Sequence, residues 1–311
     1  MRDRFDDNAI LVGVWCGDAP AWALHRTVKT RAPTLSKLLL RTGENYSNRT
    51  VLGNIMNQMN IIKAEFAKVL QVFEASPAMQ RILRGNMTIE HYKSYLQQTY
   101  HYTKDNPQIQ ALATVYFRGN DREYVRMFYK HAISEIGHDE LALSDLKTLG
   151  ENIDQVRIEN PLPATVALNA FVYYQIYNRN PIGYLGYLFF LEFLPTGSGA
   201  AYMQLLEKAG VPKSAMGFLL EHTNVDVYHN RLMEKYIEGL VKTEADLQAI
   251  IYSMRGTGEL YASMLHAAFM QAEKPVAWGI DSQEAARYNA DNHGKSDELD
   301  SDELVIQAQA A

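Results

Sequence analysis

The sequence predicts an all-α protein, and three observations carry that expectation. Apolar residues recur at helical spacing over long stretches, glycine and proline punctuate the chain between those stretches, and no alternating strand pattern outlasts a few residues. With 47% hydrophobic and 21% charged residues over 311 positions, the chain has apolar surface enough for a sizeable core.

Each element has its own justification. Over 51–74 the apolar positions Ile55, Met59, Ile62, Phe66, Leu70 and Phe73 keep helical spacing, and Ser76-Pro77 follows as a stop. Thr88 and Glu90 open a helix that runs to Lys104 and ends near Asn106-Pro107. Asp121 is placed to cap one long helix over 122–149, closed by Gly150. A loop is expected over 153–163, fenced by Pro161 and Pro163, and three helices follow over 165–177, 182–194 and 199–209. Gly210 and Pro212 reset the chain before a long helix over 214–240. A last helix over 243–272 carries a potential flaw at Gly256 and Gly258. Residues 1–50 read as an N-terminal extension or capping segment. The polar, acidic tail over 291–311 reads as disordered.

Composition excludes several functions. A net charge of −6 and a pI near 5.9 argue against nucleic acid, whose binding rests on basic patches. No apolar run reaches the ~20 residues that span a bilayer; the best candidate, 182–194, is interrupted by Glu192. The first ten residues are charged and lack a signal peptide's apolar segment, so a cytoplasmic location is expected. A single cysteine, Cys16, leaves no internal disulfide framework and no cysteine-based zinc site.

Three clusters carry chemistry. In the helix after Ser214, His222 and Asp226 are four residues apart and Asp226 and His229 three, so all three leave one helical face. Imidazoles and a carboxylate on one face suit a first-row divalent metal, the plain alternative being a solvated polar face. Glu135 and His138 form a Glu-x-x-His pair of the kind that carboxylate-bridged di-iron bundles use. His131 lies near the same face and reads as structural or as a support behind the ligands. Glu192 sits in a segment apolar nearly all round, where an ionised carboxylate costs several kcal/mol unless paired or bound to a cation. A buried arginine partner is the alternative there. Tyr173, Tyr174, Tyr177, Tyr184 and Tyr187 crowd the same stretch, as core packing or as a pocket wall, with Tyr187 a candidate support for the ligands. Lys130, Arg179 and Arg231 could pair with a substrate carboxylate, but each reads better as an exposed charge.

The string Glu221-His222-x3-Asp226-x2-His229 resembles the last metal-binding helix of the heme-oxygenase-like di-iron oxidases and oxygenases. Glu135-x2-His138 followed by Leu149-Gly150 is similar to that family's first ligand helix, and Glu192 before Phe-Leu-Pro to its lone middle-helix glutamate. The resemblance spans roughly 51–271. It implies a heme-oxygenase-like bundle of about seven core helices, a di-iron domain over 51–290, and two irons held by Glu135, His138, Glu192, His222, Asp226 and His229.

It further implies O2 as co-substrate and oxidation of a small amino-acid- or amine-derived molecule by N-oxygenation, hydroxylation or C–C cleavage, in specialised metabolism. An external electron donor and a homodimer are its expected partners. One departure stands out: some N-oxygenases of the group carry an extra carboxylate one or two turns before Glu-x-x-His, and here that stretch, 126–134, has none. Competing readings are a fatty-acid oxidative decarboxylase of the same fold, a non-redox relative, a heme-binding relative, and a non-redox helical binding protein.

Overall fold

Long amphipathic and wholly apolar segments can bury their faces only against one another, and here they do so as helices alone. The computed structural model describes residues 45–117 and 121–275, with 45–57 and 224–228 described by their helical backbone alone; no strand occurs among the described residues. The N-terminal extension and acidic tail expected from the sequence lie outside them. The order is α1 (Asn45–Glu74), α2 (Pro77–Leu83), α3 (Ile89–Thr103), α4 (Asn106–Ala113), α5 (Arg122–Glu135), α6 (His138–Thr148), α7 (Ile153–Ile158), α8 (Pro163–Asn178), α9 (Tyr184–Lys208), α10 (Gly217–Leu240) and α11 (Glu244–Glu273).

The most apolar helix, α9, lies at the centre, packed on α10 and α11, while α3 packs on α6 and α11 and α4 on α5. Gly186 sets one of these contacts: a Cβ there would lie 2.1 Å from the Ile250 carbonyl oxygen and 2.7 Å from the Met254 amide nitrogen, so α9 and α11 meet backbone to backbone. Phe66, Phe189, Phe190 and Phe193 interlock edge-on and stacked where α1 crosses α9. Gly256 and Gly258 do not interrupt α11. They face Phe171 and Val69, which take the space that side chains would fill.

Three expectations are corrected. The helix expected over 122–149 breaks: Gly137 adopts φ 96°, a left-handed conformation that glycine reaches without a Cβ penalty, and α6 starts afresh at His138. The helices expected over 182–194 and 199–209 are one, with Pro195 inside α9. The proline ring removes one backbone hydrogen bond, a cost of about 3 kcal/mol in an isolated helix. Burial of α9 offsets it, and the Thr196 hydroxyl donates to the Phe193 carbonyl at 3.0 Å and the Glu192 carbonyl at 3.3 Å. The expected loop over 153–163 contains α7, capped by the Asn152 side chain; α3 ends at Thr103, close to Asn106-Pro107 as expected, and those two residues open a further short helix, α4.

The helix that carries His222 is anchored from α6. The buried Asp145 carboxylate accepts the Gly217 and Phe218 amides at 2.8 and 2.9 Å, satisfying donors that the first turn of α10 leaves free. Asp145→Ala is expected to cost about 2 kcal/mol of stability, because two buried N–H groups lose their acceptor. Denaturant unfolding measures this, and the slope should stay unchanged.

Candidate metal centre

Four helices bring their acidic and imidazole side chains to one buried point. His131 and Glu135 sit four residues apart on the inner face of α5, His138 opens α6, Glu192 comes from the middle of α9, and His222 and His229 come from α10. His131, Glu135, Glu192 and His229 are all buried. Asp226 falls between His222 and His229 on α10, but its side chain is outside the described residues.

The distances divide the set in two. His131, Glu135, Glu192 and His229 each offer an atom within 4.8 Å of the others, and Glu135, His138 and His222 form a second such group. Glu135 belongs to both. Its Oε1 lies 3.5 Å from His131 Nε2 and 3.9 Å from His229 Nε2, while its Oε2 lies 3.1 Å from His138 Nδ1. Glu192 reaches His131 Nε2 at 3.1 Å with one oxygen and His229 Nδ1 at 2.7 Å with the other. The arginine partner weighed for Glu192 is absent among the described residues, and imidazoles take its place.

The electrostatics reflect crowding. Burial opposes protonation of His131, yet the carboxylates of Glu135 and Glu192 beside it outweigh burial and raise it to about 9. Burial likewise opposes ionisation of Glu135 and Glu192. The imidazoles win in both cases: His131 and His138 hold Glu135 well below the usual carboxylate range, and His131 and His229 lower Glu192. His138 is raised, because Glu135 outweighs burial; His222 is lowered by burial, which its contact with the Phe218 carbonyl offsets only in part.

Several ligand-type atoms remain unsatisfied. Glu135 Oε1 and His138 Nδ1 are buried and make no well-directed hydrogen bond, their contacts across the cluster at 3.1–3.9 Å being ion pairs only. Buried polar groups normally find partners, so two orphans at the meeting point of a carboxylate and imidazoles fit a site that a cation completes. Carboxylate and imidazole donors suit a first-row metal such as iron. A ligating imidazole must be neutral, so metal uptake has to expel the proton that His131 holds below pH 9. Zinc or Fe(II) binding is therefore expected to release protons at pH 7 and to tighten as pH rises toward 9. Titration calorimetry in buffers of differing ionisation enthalpy reads that release.

Of the residues expected as ligands, Glu135, His138, Glu192, His222 and His229 come together here, although Glu135 and His138 straddle a helix break. His131, expected as structural or as a support, stands among them. Its signal in the sequence is its place one turn before Glu135 on the same inner face. Tyr187 donates instead to Asn106 Oδ1 at 2.6 Å, so its hydroxyl supports α4 and no candidate ligand. Leu220, in the first turns of α10, is 50% exposed.

A cavity of about 120 Å³ adjoins the cluster, with Glu135, Glu192 and His222 in its wall. Tyr184 and Tyr187 line it, whereas Tyr174 and Tyr177 are exposed at the surface. Other wall residues carry no signal in the sequence, among them Tyr92, Tyr95 and Tyr102 of α3, Gln110 of α4 and Tyr261 of α11. Lys130, Arg179 and Arg231 are all exposed and none lines the cavity.

Comparisons with known proteins agree with this picture. The profile of a family described as iron-containing redox enzymes matches residues 93–262, a stretch that holds all seven acidic and imidazole positions. A domain of unknown function with a heme oxygenase-like fold from Shewanella denitrificans OS217 superposes with a TM-score of 0.62 at 26% identity, over 70% of this chain and 93% of that one. A TenA homologue from P. horikoshii OT3 superposes with a TM-score of 0.52 at 14% identity, over 68% of this chain and 98% of that one, and shows the fold alone. No curated protein matches the chain. The heme-oxygenase-like helical fold expected from the sequence is thus observed. Among the described residues, no helix is long and apolar enough to cross a membrane.

Proposed function

As the chain belongs to the iron-containing redox enzyme family, we propose that it is a non-heme di-iron oxidase or oxygenase that uses O2 to oxidise a small organic acid or amine. The observation that carries this reading is the shared position of Glu135, the one side chain common to both ligand groups among the described residues. A carboxylate with an imidazole group on either side can bridge two cations, as the carboxylates of di-iron helical bundles do. His131, Glu192 and His229 would hold one metal with Glu135; His138 and His222 would hold the other, with Asp226 spaced on α10 to join them. Two bound irons would supply electrons in pairs, which two-electron reduction of O2 requires.

The remaining work falls to the chain itself. Burial keeps water from the reacting point, which strengthens every charge interaction there. Asp145 and the Gly137 break fix the direction in which α10 and α6 present their imidazoles. An external electron donor belongs to the proposal, because reducing O2 consumes electrons.

Anaerobic Fe(II) titration followed by O2-electrode measurement tests the reading. Uptake of about two irons per chain and substrate-stimulated O2 consumption, across a panel of amino acids, amines and fatty acids, are expected. Iron uptake near zero, or O2 consumption no greater than that of metal-free protein, would contradict it.

A further inference from the structure

The outer face of α5 carries a charge opposite to that of the chain as a whole. Arg122, Arg126 and Lys130 follow one another at four-residue spacing, so their side chains leave the helix in a single row. All three are exposed, and none has an ion-pair or hydrogen-bond partner among the described residues. The chain has a net charge of −6, so an unpaired basic row is a local reversal of sign. The one exposed acid of α5, Glu123, stands in the first turn, where it complements the helix dipole.

Apolar side chains continue the same face. Tyr129, Ile133 and Ile136 are 48%, 67% and 69% exposed. Val115, beside the Thr114 hydroxyl that donates to Tyr129 at 3.3 Å, is 61% exposed. Apolar surface rimmed by charge marks an interaction site, whereas single exposed apolar residues do not. From Arg122 to Ile136 the face runs about 21 Å along the helix axis, the scale of a small, transient contact. His131 and Glu135 project from the opposite side of α5, where both are buried. One helix, ~10 Å across, is therefore the wall between this surface and the cluster.

We propose that the outer face of α5 docks a small acidic one-electron carrier protein, which passes electrons to the metal centre across that helix. The inference rests on the di-iron reading for the purpose of docking, not for the surface itself. Charge complementarity selects the occupant. A carrier with an acidic patch around its redox group meets Arg122, Arg126 and Lys130, while Ile133 and Ile136 exclude water at the closest approach. Three cations in an otherwise acidic protein suit a local acidic patch better than a long polyanion such as nucleic acid. A second copy of the chain fits poorly, because two-fold symmetry would set basic row against basic row. Each carrier gives up one electron, so two successive encounters return two Fe(III) to Fe(II) and leave two oxidised carriers. A weak contact suits that turnover, since the spent carrier must leave before the next arrives.

Calorimetric titration of the full chain, with and without iron, tests docking, using an oxidised plant-type 2Fe–2S ferredoxin and a flavodoxin as acidic probes. At least one should bind at low salt and weaken about tenfold or more between about 20 and 200 mM salt. Joint replacement Arg122→Glu, Arg126→Glu and Lys130→Glu should weaken binding about tenfold or more. Lys147→Glu, Lys208→Glu and Lys274→Glu together make the same change in net charge elsewhere on the surface and should shift it less than about threefold. Ile133→Asn, which leaves the charges in place, should weaken binding about fivefold. In iron-loaded protein, stopped-flow reduction by reduced ferredoxin should slow with the basic-row variant, while dithionite, which needs no docking surface, should reduce variant and parent alike. The proposal is overturned if neither acidic carrier binds or if the two triple variants weaken binding equally. It is also overturned if the chain sediments as a dimer that Ile133→Asn dissociates, because a second copy then covers the face. Docking that follows the basic row in protein that takes up no iron would support the surface while contradicting the di-iron reading. Stoichiometric iron with docking indifferent to the basic row would do the reverse.

Discussion

Replacing Glu135 by alanine is expected to abolish iron binding at both positions, the largest effect of any single substitution in the cluster. Among the described side chains, every other candidate ligand belongs to one group, whereas Glu135 stands in both. Its loss also removes the main carboxylate that raises His138 and leaves His131 with Glu192 alone, so the remaining imidazoles face one another across a buried space with less negative charge to balance a cation. Iron content should fall from about two per chain to near zero, and O2 consumption should fall with it. By contrast, His222→Ala removes a member of the second group only and should retain about one iron per chain. Metal analysis after anaerobic Fe(II) loading and desalting compares them directly. Equal losses from the two variants would mean that Glu135 has no bridging place.

Glu192→Gln is expected to destabilise the metal-free protein by about 3 kcal/mol near neutral pH, as breaking one side of a buried ion pair does. The carboxylate meets His131 at 3.1 Å and His229 at 2.7 Å, and a neutral amide cannot balance the proton that His131 carries. The sign with pH follows from the shifts. Glu192 is lowered, so its contribution exists above the usual glutamate range and fades as pH falls through its folded value. His131 is raised to about 9, so its contribution is complete below its ordinary value and fades as pH climbs through 9. The penalty of Glu192→Gln should therefore shrink toward pH 9. Thermal unfolding of metal-free protein at several pH values checks this; a penalty that grows with pH would contradict the pairing.

Residue spacing alone makes most of the cluster legible in the sequence. His222, Asp226 and His229 share a helical face by arithmetic, and Glu192 stands out because a charge in a wholly apolar helix needs a partner. His131 is easily discounted, because a lone histidine on an inner face is more often a core residue than a ligand. The break at Gly137 is not legible, because an isolated glycine in a helical pattern can continue the helix or end it, and the two differ only in φ. Pro195 misleads in the opposite direction. Local propensity reads it as a stop, but contacts of α9 with α10 and α11 carry the helix through. The cavity stays hidden because its wall is assembled from α1, α2, α3, α4, α5, α9, α10 and α11, which no periodicity within one segment connects. Gln110 looks like any polar residue of a short helix until its surroundings leave its amide unpaired.

On the di-iron reading, both metal positions depend on Glu135 lying between them. Anomalous diffraction at the iron edge, from crystals grown anaerobically with Fe(II), tests this most directly. Two peaks are expected, about 3.5–4 Å apart, one among His131, Glu192 and His229 and the other beside His138 and His222, with a Glu135 oxygen toward each. A single peak that does not touch Glu135, or peaks away from these side chains, would contradict the di-iron reading.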